Sequence, residues 1–372
     1  MRRLFAIGSL ALASAAATTT PGVADATAVP LLWGVGAHPT WPDYAQWVPG
    51  NMAKQIALIQ ELGCTYCRCS FEGANYPAIL DRVVPPAAAA GIHILPVLQF
   101  KITAADSGAA NYLRSYQTTF AWASYAIAKG YVIPSWEIGN ELENGPLVRI
   151  VHDGSSSYEF PDKTPGGFAA MAASLAGAYK GIKDAYAMKS AGEVNVLCGF
   201  TYRHWGLLAK LQQYNGSLPC DAISWHWYEP AHGSFSAPIG DLLSAGHGRT
   251  PAECLADFKK PGHPDEPMDV WITEMNRSAH TPAGDENGSY SHGNPSHQDW
   301  MAEAAAIHAI IQDLRKAPTV KAIFVYELLD EPKADGVSPS RLKSEGWFGL
   351  ATSLTGPRKD AFQAYKDEIH RP

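Results

Sequence analysis

Hydrophobic and polar positions along the chain fall into short apolar runs that alternate with longer stretches of helical spacing. The runs Leu31–Gly36, Thr65–Cys69, Ile92–Leu98, Tyr131–Gly139, Val194–Cys198, Ala222–His226, Val270–Glu274 and Ala322–Tyr326 read as eight strands. The third is nearly continuous in apolar residues, as expected for a strand covered on both faces. Between them, apolar residues recur three and four apart. The spacing predicts helices near Met52–Leu62, Ala78–Ala90, Asn111–Lys129, Phe168–Ala187, Trp205–Tyr214, His297–Lys316 and Lys359–Ile369, with a further loop and helix before the seventh strand. Asn51 reads as the cap of the first helix and Gly63 as its stop; Pro85-Pro86 predicts a kink in the second. Eight strands alternating with helices point to an α/β fold, a single (β/α)8 TIM barrel rather than an open doubly wound sheet. Long polar loops follow strand four, from about Asn144 to Gly167, and strand seven, from about Arg277 to Pro295.

The first residues change the picture of the N-terminus. Met1-Arg2-Arg3, an apolar run from Leu4 to Ala13 and the small-residue site Ala24-Asp25-Ala26 have the layout of a secretory leader. We expect residues 1–26 to be a signal peptide, with cleavage after Ala26 or after Ala28, and 27–372 to be the catalytic barrel of a secreted or periplasmic protein. A retained anchor is the alternative. The apolar run is too short for a membrane span and no later stretch supplies one.

Charge narrows the partners. The chain of 372 residues carries a net charge of −7, and loss of Arg2, Arg3 and Asp25 with the leader leaves 27 basic against 35 acidic residues. That balance argues against nucleic acid or an anionic membrane surface. Cys64, Cys67, Cys69, Cys198, Cys220 and Cys254 form an even set. Cys198 and Cys220, at opposite ends of two neighbouring strands, are expected to lie too far apart to bridge, so buried free thiols are the expectation. Cys64-x-x-Cys67 has no second pair at metal spacing, and Gly34-x-Gly36 lacks the third glycine of a dinucleotide loop. No cofactor is expected, no metal site is assigned, and the protein is expected to be a monomer.

The candidate chemistry lies where strands end. In a (β/α)8 barrel the reactive side chains gather at the C-terminal strand ends, which here carry His38, Arg68, Gln99, Asn140, Glu141, His226, Tyr228, Glu274 and Glu327. Two glutamates, on strand ends four and seven, suit glycoside hydrolysis, which needs one protonated and one ionised carboxyl group beside the scissile bond. Glu137 has the strand parity of Glu141 and is a candidate partner for Arg68. Glu143 and Glu327 read as loop carboxylates.

WEIGNELE (Trp136–Glu143), Thr273-Glu274, Cys67-Arg68-Cys69, HWY (His226–Tyr228), YELLDEP (Tyr326–Pro332) and EGWFGL (Glu345–Leu350) together resemble clan A of the glycoside hydrolases, most closely family 39 and its neighbours. The resemblance spans the mature chain. It implies a retaining β-glycosidase acting on a polysaccharide or its oligosaccharides, with Glu141 as acid/base and Glu274 as nucleophile. The acid is then expected to hold its proton near neutral pH. Arg68 and the Tyr228 hydroxyl would support the nucleophile, Asn140 would bind the sugar 2-hydroxyl and His226 would assist. His38, Trp33, Trp227 and Tyr326 are further substrate-binding candidates, and Trp41, Trp136, Trp205 and Trp347 are other possible stacking surfaces. Two departures stand out. Met275-Asn276 follows Glu274 where relatives often have a residue and then glycine, and Tyr326 stands where many members place tryptophan. The rival readings are a carbohydrate-binding barrel without catalysis and a metal-dependent hydrolase.

Overall fold

In the computed structural model, residues 30–39, 47–71, 75–150, 160–228, 233–240, 247–279, 295–330 and 346–371 are described. The expected leader, Trp41 and most of the loop after strand seven lie outside the described residues. From Leu31 on the chain forms one compact unit. All eight expected strands are present: β1 (Leu32–Ala37), β2 (Tyr66–Phe71), β3 (His93–Leu98), β4 (Ser135–Ile138), β5 (Asn195–Thr201), β6 (Ala222–His226), β9 (Asp269–Met275) and β10 (Val320–Val325). They close into a parallel barrel in the order β1-β10-β9-β6-β5-β4-β3-β2. A two-stranded antiparallel hairpin, β7 (Lys259–Lys260) with β8 (His263–Pro267), precedes β9. Its exposed, Pro- and charge-rich sequence carries no strand pattern, so periodicity misses it.

Seven longer helices, α1 (Pro49–Leu62), α2 (Tyr76–Ala89), α3 (Gly108–Ala128), α4 (Gly167–Met188), α5 (Trp205–Asn215), α7 (His297–Leu314) and α8 (Asp360–Ile369), alternate with the strands. The helix expected before the seventh strand is the short α6 (Pro251–Leu255). Asn51 is not a cap: α1 begins at Pro49, with Val48 in the cap position and proline pre-set for the first turn. Gly63 ends it in the left-handed conformation, as expected. Thr250 and Ser296 open α6 and α7 with reciprocal capping boxes.

Strand alternation divides the core in two. Outward residues such as Val35, Ile94, Trp136, Val196, Ile223, Trp225 and Ile272 meet the helices. Inward residues Tyr66, Leu95, Leu197, Ala222, Trp271, Ala322 and Phe324 fill the barrel interior as a separate apolar plug. Each fully buried aliphatic or Phe side chain contributes about 1.5–3 kcal/mol, so this plug makes a rigid floor. Above it the inward positions turn polar.

The six cysteines are buried free thiols. One detail of the expectation fails: Cys198 and Cys220 are neighbours, and burial and Cys220 both push the Cys198 thiol up. Cys198 points outward toward the turn before β6, where its Sγ lies 3.2 Å from the Pro219 carbonyl. Side-chain direction, not position along the strand, sets that distance. No helix among the described residues is long and apolar enough to cross a membrane.

Candidate active site

The polar layer is organised by Arg68, inward on β2 and buried. Its guanidinium grips Glu137 of β4 with two parallel bonds, Nε to Oε2 at 2.6 Å and Nη2 to Oε1 at 2.8 Å. A bidentate pair of this kind fixes orientation as well as charge. Nη2 also donates to Asn140 Oδ1 at 2.7 Å, and Nη1 donates to Glu274 Oε1. Ser224 on β6 adds a hydroxyl to Glu137 Oε1 at 2.8 Å. Room for Glu137 comes from Gly199 on β5, where a Cβ would meet its Oε1 at 2.7 Å.

Glu274 reaches this layer through a bulge. Trp225 pairs with Ile272 and His226 with Glu274, leaving Thr273 as the extra residue; β10 shows the same slip on the other side, Ile323 with Ile272 and Val325 with Met275. Strict alternation would send Thr273 and Glu274 to opposite faces. The bulge lets Thr273 bond Ser224 inside the barrel while Glu274 also points inward. Tyr228 Oη donates to Glu274 Oε2 at 2.6 Å, so both carboxylate oxygens accept a bond.

Glu141 is delivered differently. β4 ends at Ile138, and the chain then turns through Gly139 (φ 76°) and Glu141 itself (φ 44°). A left-handed conformation at a non-glycine residue is strained, and such strain gathers at functional sites. Glu143 braces the turn: its Oε1 accepts from the Thr201 backbone at 2.8 Å and lies 3.2 Å from His204 Nδ1. Glu141 Oε1 lies 2.7 Å from His226 Nδ1, which is 3.4 Å from Glu274 Oε2. One side-chain atom each of Glu141, His226 and Glu274 thus falls within 4.8 Å of the others.

Protonation departs from the expectation. Burial alone would raise the Glu141 carboxyl, but the hydrogen bond and charge of His226, with help from Asn144 and Thr201, hold it down at about 2. Burial opposes charge on His226, yet Glu274, Glu137 and Glu141 push it up to about 10. The Glu141 carboxyl is lowered and the His226 imidazole raised, so their contact favours an ion pair over the protonated acid expected. Glu137, against its own burial, is lowered to about 2 by Arg68. For Tyr228, burial and then the Glu274 charge keep the phenol protonated.

The structure thus gathers Arg68, Asn140, Glu141, His226, Tyr228 and Glu274. His38 and Tyr326 join at the edge: His38 Nε2 lies 3.2 Å from Tyr326 Oη and 3.2 Å from Glu327 Oε2, and the Tyr326–Glu327 peptide is cis. Trp33 and Trp227 do not belong there. Trp33 faces outward, its ring edge-on to Tyr365 at 5.8 Å and beneath Arg315. Trp227 is fully buried against Phe235, with its indole donating to the Gly233 carbonyl. Both follow from strand direction, since each stands one residue out of phase with an inward position. Trp136 and Trp205 are also buried. Glu143 and Glu327, read as loop carboxylates, are buried side chains that brace the rim.

Glu141, His226 and Glu274 are also the one group among the described residues with the composition of a metal site. These donors are already engaged: Glu274 accepts from the Arg68 guanidinium, a fixed positive charge that disfavours a cation beside it, and from a phenol O–H, and Glu141 lies 2.7 Å from His226 Nδ1.

No protein-family model and no curated protein matches the sequence. Solved structures do. The GH39 β-xylosidase from Caulobacter crescentus superposes with TM-score 0.55 at 19% identity, over 91% of this chain and 70% of that one. The GH5_18 protein from Streptomyces cattleya, solved with GlcNAc, gives 0.59 at 14%, over 93% and 81%. The GH2 β-galacturonidase from Eisenbergiella tayi gives 0.55 at 16% over 91% of this chain, which spans only 51% of that one. The shared feature is the fold. It is a barrel that glycoside hydrolases use.

Proposed function

We propose that the protein is a retaining β-glycosidase acting on a polysaccharide or its oligosaccharides, with Glu274 as nucleophile and Glu141 as acid/base. The observation that carries this reading is the approach of Glu141 and Glu274 to within 4.8 Å through one oxygen each. Double displacement needs carboxyl groups about 5–5.5 Å apart, whereas inversion needs about 6.5–9.5 Å to admit a water. Arg68 and Tyr228 occupy both oxygens of Glu274 and so support its negative charge before attack. Asn140 presents its carbonyl to Arg68, which turns its amide N–H2 outward for a substrate hydroxyl. The leaving oxygen takes its proton from the Glu141–His226 pair. Substrate binding excludes water from the pair, and a neutral acid beside a neutral imidazole replaces the ion pair as charge forms on the sugar. Water then enters with Glu141 as base. Secretion through the leader belongs to the same reading.

Glu274→Ala should lower turnover at least about 10³-fold with the fold intact, and azide should restore cleavage with inverted product. Wild-type turnover in that variant would refute the nucleophile. Glu141→Ala should spare substrates with activated leaving groups more than poor ones, because only the latter need the proton. Activity that is lost on chelation and regained with zinc would favour a metal-dependent hydrolase instead.

A further inference from the structure

The rim stretch Trp347-Phe348-Gly349 has no part in the proton and nucleophile chemistry, yet each of its residues is held by a buried polar side chain. Lys359, at the N-cap of α8, donates from Nζ to the Trp347 carbonyl at 3.0 Å. Asn276, two residues beyond Glu274, donates from Nδ2 to the Phe348 carbonyl at 2.7 Å and to the Tyr326 carbonyl at 2.8 Å. The Gly349 amide donates to Asp330 Oδ1 at 2.9 Å, and Asp330 is paired with Lys359 at 2.6 Å. A Cβ on Gly349 would meet the Asp330 amide nitrogen at 1.9 Å, so the backbone here is pressed against its neighbour. Three anchors from three elements on three consecutive residues leave the stretch one position.

That position matters because of the Phe348 ring, which is partly exposed. It stands edge-on to Tyr228 at 5.6 Å and to Tyr326 at 5.9 Å. Tyr228 bonds Glu274, and Tyr326 bonds His38 across the rim. The ring therefore closes the span between two tyrosines on the nucleophile side. We propose that Phe348 is a substrate-binding residue forming the apolar wall of the subsite for the sugar that Glu274 attacks, and that Asn276, Asp330 and Lys359 are positioning residues that fix that wall relative to the nucleophile. Aromatic rings offer rigid apolar area to the C–H faces of a sugar at low entropic cost. Asn276 directly follows the strand that carries Glu274, so one amide ties the wall to the nucleophile's strand. The proposal rests on the glycosidase reading.

The test uses the full-length protein and a panel of 4-nitrophenyl β-glycosides, taking forward the one that the wild type cleaves fastest. Phe348→Ala should lower kcat/KM about 10-fold or more, chiefly through KM, and Phe348→Tyr should restore it to within about 3-fold. Asn276→Leu, which keeps the volume and removes the donors, should raise KM in the same direction by about 3-fold or more with a smaller change in kcat. Thermal unfolding is followed in parallel, and if Phe348→Ala fails to fold, Phe348→Leu takes its place with the same expectation for KM. Unchanged KM in folded Phe348 variants of an active enzyme would overturn the wall and leave the glycosidase reading standing. Cleavage of no glycoside by the wild type would instead remove the reading beneath it.

Discussion

Two buried charge clusters built from the same residue types behave in opposite ways. Around Arg68, the carboxyl groups of Glu137, Glu141 and Glu274 meet two cations, Arg68 and His226, and several neutral donors. There the carboxyls of Glu137 and Glu141 are held at about 2. Behind the rim, Glu303, Glu327 and Asp330 face chiefly one ammonium, that of Lys359, with His38 at the edge beside Glu327. Among the described residues Glu327 Oε1 has no hydrogen-bond partner, and Glu303 Oε2 has only the Lys359 ammonium, at 3.4 Å. Burial, with too little positive charge to offset it, pushes Glu303 up to about 8 and Asp330 to about 6, and raises Glu327 well above the usual carboxylate range. Burial is common to both clusters. The number of cations and donors decides which way a carboxyl moves. The first cluster holds Glu137 and Glu141 ionised, while burial in the second favours the protonated forms of Glu303 and Glu327, and that cluster holds the rim.

The largest break in this contrast should come from Arg68→Met. It strips from the first cluster its only permanent cation among the described residues and leaves buried carboxylates without compensation, which should cost about 3–5 kcal/mol in denaturant unfolding and abolish turnover. Lys359→Met removes the corresponding cation from the second cluster. Its carboxyls can neutralise themselves by holding protons, so the expected loss at neutral pH is smaller, about 1–3 kcal/mol by the same measurement.

Next comes pH. Glu137 has a folded pKa below its unfolded value, so its contribution is present above about pH 4.5 and is lost as pH falls through about 2. Glu303 is raised, so its contribution is present below about pH 4.5 and is lost as pH rises through about 8. Glu303→Gln should therefore flatten the alkaline side of a stability profile and gain about 1–2 kcal/mol at pH 9 relative to wild type, while leaving the acid side unchanged. An unaltered alkaline slope would remove Glu303 from the account. Smallest of all, Trp33→Phe should cost about 1 kcal/mol in stability and leave kcat/KM within about 2-fold of wild type, since the ring packs on Tyr365 away from both clusters.

Much of this was legible in the chain. Apolar runs of strand length between helical repeats determined eight strands, and the strand-end rule then placed Arg68, Asn140, Glu141, His226 and Glu274 on one rim. These are local properties, because an apolar run covered on both faces has few other stable settings in a chain of this size. Parity also pointed to Glu137 as a partner of Arg68.

Tertiary structure alone decided the rest. The bulge at Thr273 that turns Glu274 inward breaks the periodicity from which facing is read. Trp33 and Trp227 carry the right residue type, but their strand phase points them away from the site. The lowering of Glu141 and raising of His226 depend on which charges meet in three dimensions, from β4, β6 and β9 together. The second cluster joins Asn276, Glu303, Asp330 and Lys359 over more than eighty positions of sequence, and no spacing rule reaches so far. Sequence determines the elements and their ends because those follow from short-range pattern. Which side chains share a charge is a long-range property, settled only when the barrel closes.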